Sequence, residues 1–448
     1  MALCGDDLAI MRRSGVLSQG PLAAYSVLSF ALAMAMLPIY MIAPKYYSDT
    51  LGLDLGVLGL ALFAVRLVDT VQDPLIGRLV DGLARWRAGW TILMVSGAVL
   101  LGTSFVLLFD VPAGLDQSDV LVWMVACLVL VYTAHSLMNV CYLTWGARLT
   151  DDLAGRARVT AWREASGVLG VVVASVLPAL WVTQSGAEQA YTRFSWVFVA
   201  VLGVTLVITL TGTSRPIVSP PQRGVAGHRA SSWRTAFGRA AAGPDRRLWR
   251  LYGFYLFNAT ATAIPATLIL FYVEDVLEQP ERTGLFLGAY FLAGLGTLAF
   301  WVRLSDRLGK AHAWAAGSLV AGTGLMLAAF LGEGDAGLYL LVCILTGSAL
   351  GADLALPPAM LADAISPDQR SNTGLYFGVW ALTAKFALAI AAGASLPLLG
   401  ALDYVPGDPS TAGALAYLYA LLPLFFKVIA AGFIGRSILN PSRSVMEA

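Results

Sequence analysis

The sequence is short of charge, of histidine and of paired cysteine, and each shortage excludes something. Only 13% of the 448 residues are charged, against roughly 25% in an ordinary soluble domain. A water-facing surface over most of the chain is thereby excluded. Cys4, Cys127, Cys141 and Cys343 show no paired spacing, and three of the four lie in apolar blocks. That excludes a disulfide framework or a cysteine metal site and leaves them as small apolar residues. Histidine occurs three times. His135 has no nucleophile partner in sequence, and no hydrolytic or metal constellation is present, so no enzyme is expected. Residues 1–20 do not read as a cleaved signal. Asp6, Asp7, Arg12 and Arg13 interrupt them, and no short apolar core ends in a small-residue cleavage site.

What is present is apolar sequence in long blocks, 58% of the residues being hydrophobic. A spanning helix takes about 20 mostly apolar residues at roughly 1.5 Å rise each. Twelve such spans are read, at 22–44, 56–80, 91–110, 121–147, 165–184, 194–214, 249–273, 284–304, 313–332, 337–361, 373–399 and 412–436. The longest polar stretch, 215–248, holds Pro216, Pro220, Pro221 and many arginines. An all-α membrane protein follows, with six-helix bundles at 1–214 and 249–448 joined by a linker loop at 215–248.

The net charge of +1 hides a strong alternation. Loops after even-numbered spans carry Arg78, Arg85, Arg87, Arg148, Arg156, Arg158, Arg163, Arg303, Arg307, Lys310 and Arg370. Loops after odd-numbered spans carry Asp110, Asp116, Asp119, Glu274, Asp275, Glu278, Glu281, Glu333, Asp335, Asp403 and Asp408, with Lys45, Arg193 and Arg282 as the basic residues on that side. The positive-inside rule then places both termini and the linker in the cytoplasm. That placement accounts for the arginines of the linker, so nucleic acid is not an expected partner, whereas anionic membrane lipid is.

The two halves echo each other. Gly77-Arg78-Leu79-Val80-Asp81-Gly82 follows span 2, and Arg303-Leu304-Ser305-Asp306-Arg307-Leu308-Gly309-Lys310 follows span 8. Leu149-Thr150-Asp151-Asp152 with Arg156 leaves span 4, and Leu361-Ala362-Asp363 with Asp368 and Arg370 leaves span 10. Matching loops at matching places mark a parallel repeat, as in the major facilitator fold, where substrate binds near the midplane between halves. Asp81, Asp152, Arg156, Arg163, Asp306, Arg307, Asp363 and Arg370 are read as gating-loop residues.

Ionisable groups inside the bilayer are costly and usually functional. Asp69 and Asp73 lie four apart in span 2, on one helical face. Their repulsion is relieved by a bound cation, a shared proton or a basic neighbour. Pro74 has no N–H, so the carbonyl of Thr70 loses its helical partner and stands between the acids. Carboxylates and a carbonyl suit a hard cation such as sodium, Asp69 and Asp73 being its ligands; a salt-bridge cluster with Arg66 is the alternative. Lys385, deep in span 11, needs a counter-ion, either Asp69 and Asp73 across the halves or Asp353 in span 10. Span 4 carries Tyr132, His135, Ser136, Asn139 and Tyr142 at helical spacing. His135 is either a proton carrier or a packing residue. Ser136 and Asn139 offer oxygens to cation or substrate. Tyr40, Tyr255, Asn258, Asp353 and Trp380 complete the expected cavity, of mixed aromatic and amide character. Lys427 in span 12 is read as snorkelling to an interface.

The stretch Arg66-x-x-Asp69-x-x-x-Asp73-Pro74-x-x-Gly77 resembles the cation motif of the glycoside–pentoside–hexuronide:cation symporters. The span-4 exit Leu149-Thr150-Asp151-Asp152, with Arg156, Arg158 and Trp162-Arg163, is similar to that family's loop signature, and Tyr46-Tyr47-Ser48-Asp49 to the end of its first helix. The resemblance implies that Asp69 and Asp73 are cation ligands, Ser136 a hydroxyl ligand and Lys385 the charge partner. It also implies a cation-coupled symporter of the major facilitator type, working by alternating access without a cofactor. The family's sugar-binding carboxylates are replaced by Ala33 and Asn139, and the following span-4 aromatic by Leu143. The cation half is kept and the substrate half rebuilt. The expected substrate is a small sugar or glycoside, the alternatives being a more hydrophobic solute or lysolipid. A non-transporting receptor on the same fold predicts binding without flux. Sodium and proton coupling both stay open.

Overall fold

The computed structural model describes residues 19–83, 88–147, 149, 153–213, 246–364 and 373–439. Twelve long helices account for nearly all of them. In the first half they are α1 (19–50), α2 (Leu55–Leu83), α3 (Gly89–Phe109), α4 (Gln117–Ala147), α5 (Leu153–Ser185) and α6 (Ala187–Gly212). In the second they are α7 (Arg246–Phe271, continued by a π-helical turn Tyr272–Val276), α8 (Thr283–Leu308), α9 (Lys310–Ala328), α10 (Ala336–Ala364), α11 (Thr373–Ala401) and α12 (Ala412–Leu439). Among the described residues, eleven helices are long and apolar enough to cross a membrane. The twelfth, α9, is a 19-residue helix rich in alanine and glycine that opens on Lys310 and His312.

Helical order runs further than apolar sequence alone indicates. The fifth helix starts at Leu153, not at 165, so Arg163 stands on a helix and not in a loop. Helix α7 starts at Arg246, inside the stretch read as linker; the rest of 215–248 lies outside the described residues. Helix α2 runs unbroken through Pro74. A single residue, Gly309, separates α8 from α9 with φ of 82°, a left-handed backbone that only glycine adopts without strain.

The packing repeats between halves. Helix α1 packs on α5 and α6 as α7 packs on α11 and α12; α2 packs on α4 as α8 packs on α10. Helix α3 packs on α4 and α6 as α9 packs on α10 and α12. Even the interface between halves follows the repeat, α2 meeting α11 and α5 meeting α8. The first helix of each half ends in a π-helical turn with related sequence, Tyr46-Tyr47-Ser48-Asp49-Thr50 and Tyr272-Val273-Glu274-Asp275-Val276.

The halves meet at the end of the bundle opposite the start of α1, called here the far end. A β-carbon on Gly59 of α2 would stand 2.5 Å from the Pro397 ring of α11, so only glycine permits that approach. Lys45 of α1 bonds Asp49 at 2.5 Å and crosses to Glu274 of α7 at 2.9 Å, its ammonium 4.8 Å from the centroid of the Phe271 ring. Between the halves lies a cavity of ≈ 540 Å³, walled by residues of α1, α2, α4, α5, α7, α8, α10 and α11.

Candidate functional site

The midplane of α2 supplies the charge. Asp69 and Asp73 share a face because they are one turn apart, and α11 brings Lys385 against both. Its ammonium lies 3.0 Å from Asp69 Oδ1 and 2.7 Å from Asp73 Oδ2. Ser136 Oγ of α4 donates to Asp69 Oδ1 at 3.1 Å and accepts from Lys385 at 3.1 Å. Gln72 Nε2 also donates to Asp69 Oδ1 at 3.3 Å, and Thr133 Oγ1 donates to Gln72 Oε1 at 2.8 Å. The Thr70 hydroxyl is turned back to the Arg66 carbonyl at 2.8 Å.

Two oxygens of the pair remain weakly engaged. Asp73 Oδ1 is buried without a hydrogen-bond partner among the described residues. Asp69 Oδ2 faces Arg66 at 3.8 Å, beyond hydrogen-bond distance. A buried carboxylate oxygen left open is unfavourable by itself and suits a small cation or a proton. No group of three or more His, Cys, Asp or Glu fit to hold a metal ion occurs among the described residues. An ion at Asp69 and Asp73 would therefore draw its other ligands from hydroxyl, amide or backbone oxygen.

Arg66 sits between two rings, its guanidinium carbon 4.1 Å from the centroid of Tyr40 and 4.2 Å from that of Tyr132. All three line the cavity, with Tyr255, Asn258, Thr262 and Asp353 as polar groups on the opposite half. The remaining wall is apolar, from Met36, Leu37 and Leu62 to Leu354 and Leu388.

A family model described as MFS/sugar transport protein matches residues 22–439. The chain belongs to this family. As a member it is an integral inner-membrane transporter whose family works with a small-molecule substrate and needs no cofactor. It is 24% identical over 422 residues to the glucuronide carrier protein homolog of Escherichia coli K12, covering 90% of this chain and 88% of that one. It is 25% identical over 269 residues to the inner membrane symporter YicJ of the same organism, covering 58% of this chain but only 55% of YicJ. The fold is similar to that of a bacterial homologue of the human lysosomal transporter Spinster, solved inward-facing and unoccupied. There the TM-score is 0.68 at 14% identity, over 93% of this chain and 97% of that one. The nucleoside transporter NupG matches with a TM-score of 0.62 at 15% identity, over 91% and 98% of the two chains.

In this transporter the helix face decides which expected cavity residues reach the cavity. Tyr40, Tyr255, Asn258 and Asp353 do. Tyr142 does not: it stacks on Tyr25 of α1 with centroids 4.4 Å apart, and each hydroxyl donates to the other's carbonyl at 3.0 Å. His135 turns toward α1, its Nε2 3.3 Å from the Leu32 carbonyl, and is absent from the wall. Half-buried Asn139 is also off the wall. Trp380 backs the wall, stacked on Tyr255 with centroids 3.5 Å apart.

Asp353 is taken by another lysine. Lys427 bonds it at 2.8 Å and donates to Asn258 at 2.8 Å, so Lys427 is buried and does not snorkel. Thr262, Trp314 and Asn258 donate to the same carboxylate at 3.0, 2.8 and 3.1 Å. The signal for Lys427 was its mid-helix position, too far from either end to reach water.

Of the expected gating residues, Arg163 pairs with its neighbour Glu164, and Asp363 pairs with Lys310 at 2.5 Å. Asp306 and Arg307 are exposed at the end of α8. These contacts stay within one half. Asp152, Arg370 and the side chains of Asp81 and Arg156 lie outside the described residues.

Proposed function

We propose that the protein is a cation-coupled symporter that carries a small organic solute across the inner membrane by alternating access. The observation that carries this reading is Lys385 of one half, 3.0 Å and 2.7 Å from Asp69 and Asp73 of the other. The cation site and the contact between halves are thus built from the same carboxylates. A sodium ion or proton arriving at the acids competes with Lys385. It thereby changes the attraction between the halves, which is what coupling requires. Cation and substrate must then raise each other's affinity by the same factor.

The six-helix halves, joined through 215–248, move as units in this reading. The arginine-rich loops put the end where α1 begins in the cytoplasm, with both termini. In this reading the contacts Lys45–Glu274 and Gly59–Pro397 close the outer, far end. The names of the relatives favour a glycoside-like solute, among them a glucuronide carrier homolog and an isoprimeverose transporter of Lactiplantibacillus pentosus. The apolar wall favours a solute with a hydrophobic portion, and a lysolipid is the second reading on that ground.

The test is thermal stability of the purified protein against sodium, lithium and pH, with no solute added. A saturable sodium response lost in Asp69→Asn and Asp73→Asn supports sodium symport. A pH response tracking the same acids supports proton coupling. No response to either sinks the coupling reading.

A further inference from the structure

Arg66 is a buried cation with unused bonding capacity that faces the cavity. Its side chain is 6% exposed, it lines the cavity, and its guanidinium carbon lies 4.1 Å and 4.2 Å from the ring centroids of Tyr40 and Tyr132. A guanidinium carries five N–H donors. None of them makes a hydrogen bond to any described residue, and the nearest carboxylate oxygen stays at 3.8 Å. Asp69 spends its close contacts on Lys385, Ser136 and Gln72 instead.

The other charged groups of the cavity have no such capacity. Asp353 accepts from Asn258, Thr262, Trp314 and Lys427, which fills its acceptor positions. It is therefore poorly placed to bind a cationic solute. Among the described cavity-lining residues, Arg66 is the ionised group left to recognise a ligand.

Charge balance leads to the same place. Asp69, Asp73, Lys385 and Arg66 sum to zero. A monovalent cation on the acids leaves the cluster at +1 in a medium where net charge is costly. An anion against Arg66 returns it to zero. Cation and anion together are then cheaper to enclose than either alone, which gives the reciprocal coupling a physical origin.

Resting on the symporter reading, we propose that the solute is an organic carboxylate with an apolar body, its acid held by the fork of Arg66. The fork matches a carboxylate with two parallel hydrogen bonds. The tyrosine rings fix the orientation, and Met36, Leu62, Leu354 and Leu388 receive the apolar body.

The experiment is calorimetric binding to the full-length protein in nanodiscs, at saturating sodium and again at low pH. Two matched pairs serve as probes: phenyl β-glucuronide with phenyl β-glucoside, and 4-phenylbutyrate with 4-phenylbutanol. At least one acid binds about tenfold or more tightly than its neutral partner, the range of a charge-assisted hydrogen-bond pair. Arg66→Gln abolishes that preference and Arg66→Lys keeps part of it, both eluting as single species in size exclusion. Equal affinities, no binding by either acid, or a preference that survives Arg66→Gln overturns the proposal. The substrate-free cation titration separates the two readings. A cation response without acid preference overturns the anion site alone. An acid preference through Arg66 without any cation response overturns the coupling alone.

Discussion

Lys427 of α12 lies 2.8 Å from Asp353 of α10, an ion pair enclosed within the second half by Asn258, Thr262 and Trp314. The side chains are 8% and 12% exposed. The charges are balanced and their hydrogen bonds made, so the cost of burying them is offset only while both are present.

Removing one partner of that pair leaves the other buried and uncompensated. Lys427→Met is expected to destabilise the protein by about 3–5 kcal/mol. The double variant Lys427→Met with Asp353→Leu is expected to recover most of the loss, because apolar replacements need no partners. Thermal unfolding in detergent measures both, and an unaltered midpoint in Lys427→Met would refute the buried-pair account.

Lys385 occupies the acids that a coupling ion must reach. Lys385→Met removes that competitor, so cation affinity at Asp69 and Asp73 rises, by about tenfold or more if one unit charge at contact distance is lost. Transport is expected to fall in the same variant, since the link to the second half is gone. Sodium titration followed by tryptophan fluorescence reads the first effect, and uptake into vesicles the second. Weaker cation binding would mean that Lys385 supports the site and does not compete for it.

The contact of Lys45 with Glu274 joins the halves at the far end. Glu274 is 42% exposed, so the bridge is worth at most ~1 kcal/mol. Glu274→Gln is expected to raise the outward-open fraction by up to roughly fivefold. A cysteine at Ala266, on the cavity wall, reports this in a cysteine-free background through its labelling by an impermeant thiol reagent from outside. An unchanged labelling rate would show that the bridge does not hold the far end closed.

Gly59 tests the same closure sterically. A β-carbon there meets Pro397 at 2.5 Å. Gly59→Ala should therefore disfavour the closed far end by about 1–3 kcal/mol, the usual cost of an inserted methyl in a packed contact. The same cysteine should label faster than in the parent. Slower labelling would indicate that α2 and α11 part elsewhere.

The sequence by itself determined the spans, the charge alternation and the pairing of Asp69 with Asp73. Each is a local property: apolar length sets a crossing, and residues one turn apart share a face whatever surrounds the helix. The internal repeat was legible for the same reason, in loops that echo across the halves. Helix α9 reads as a span at 313–332 like the others, although its alanine and glycine leave it outside the eleven described helices that are long and apolar enough to cross.

Tertiary structure decided everything that depends on which face meets which neighbour. Spacing placed Tyr142 on a polar stripe with Ser136, yet that end of α4 meets Tyr25 while Ser136 meets Asp69 and Lys385. Two lysines and three aspartates inside the membrane allowed several pairings. The packing of α2 on α11 assigned Lys385 to Asp69 and Asp73, and the assembly of the second half assigned Lys427 to Asp353. Among the described residues, Arg66 was left without a hydrogen-bonded partner by the same allocation. A buried charge takes its meaning from what lies within a few ångströms, and those distances are set by helix packing across hundreds of residues of chain.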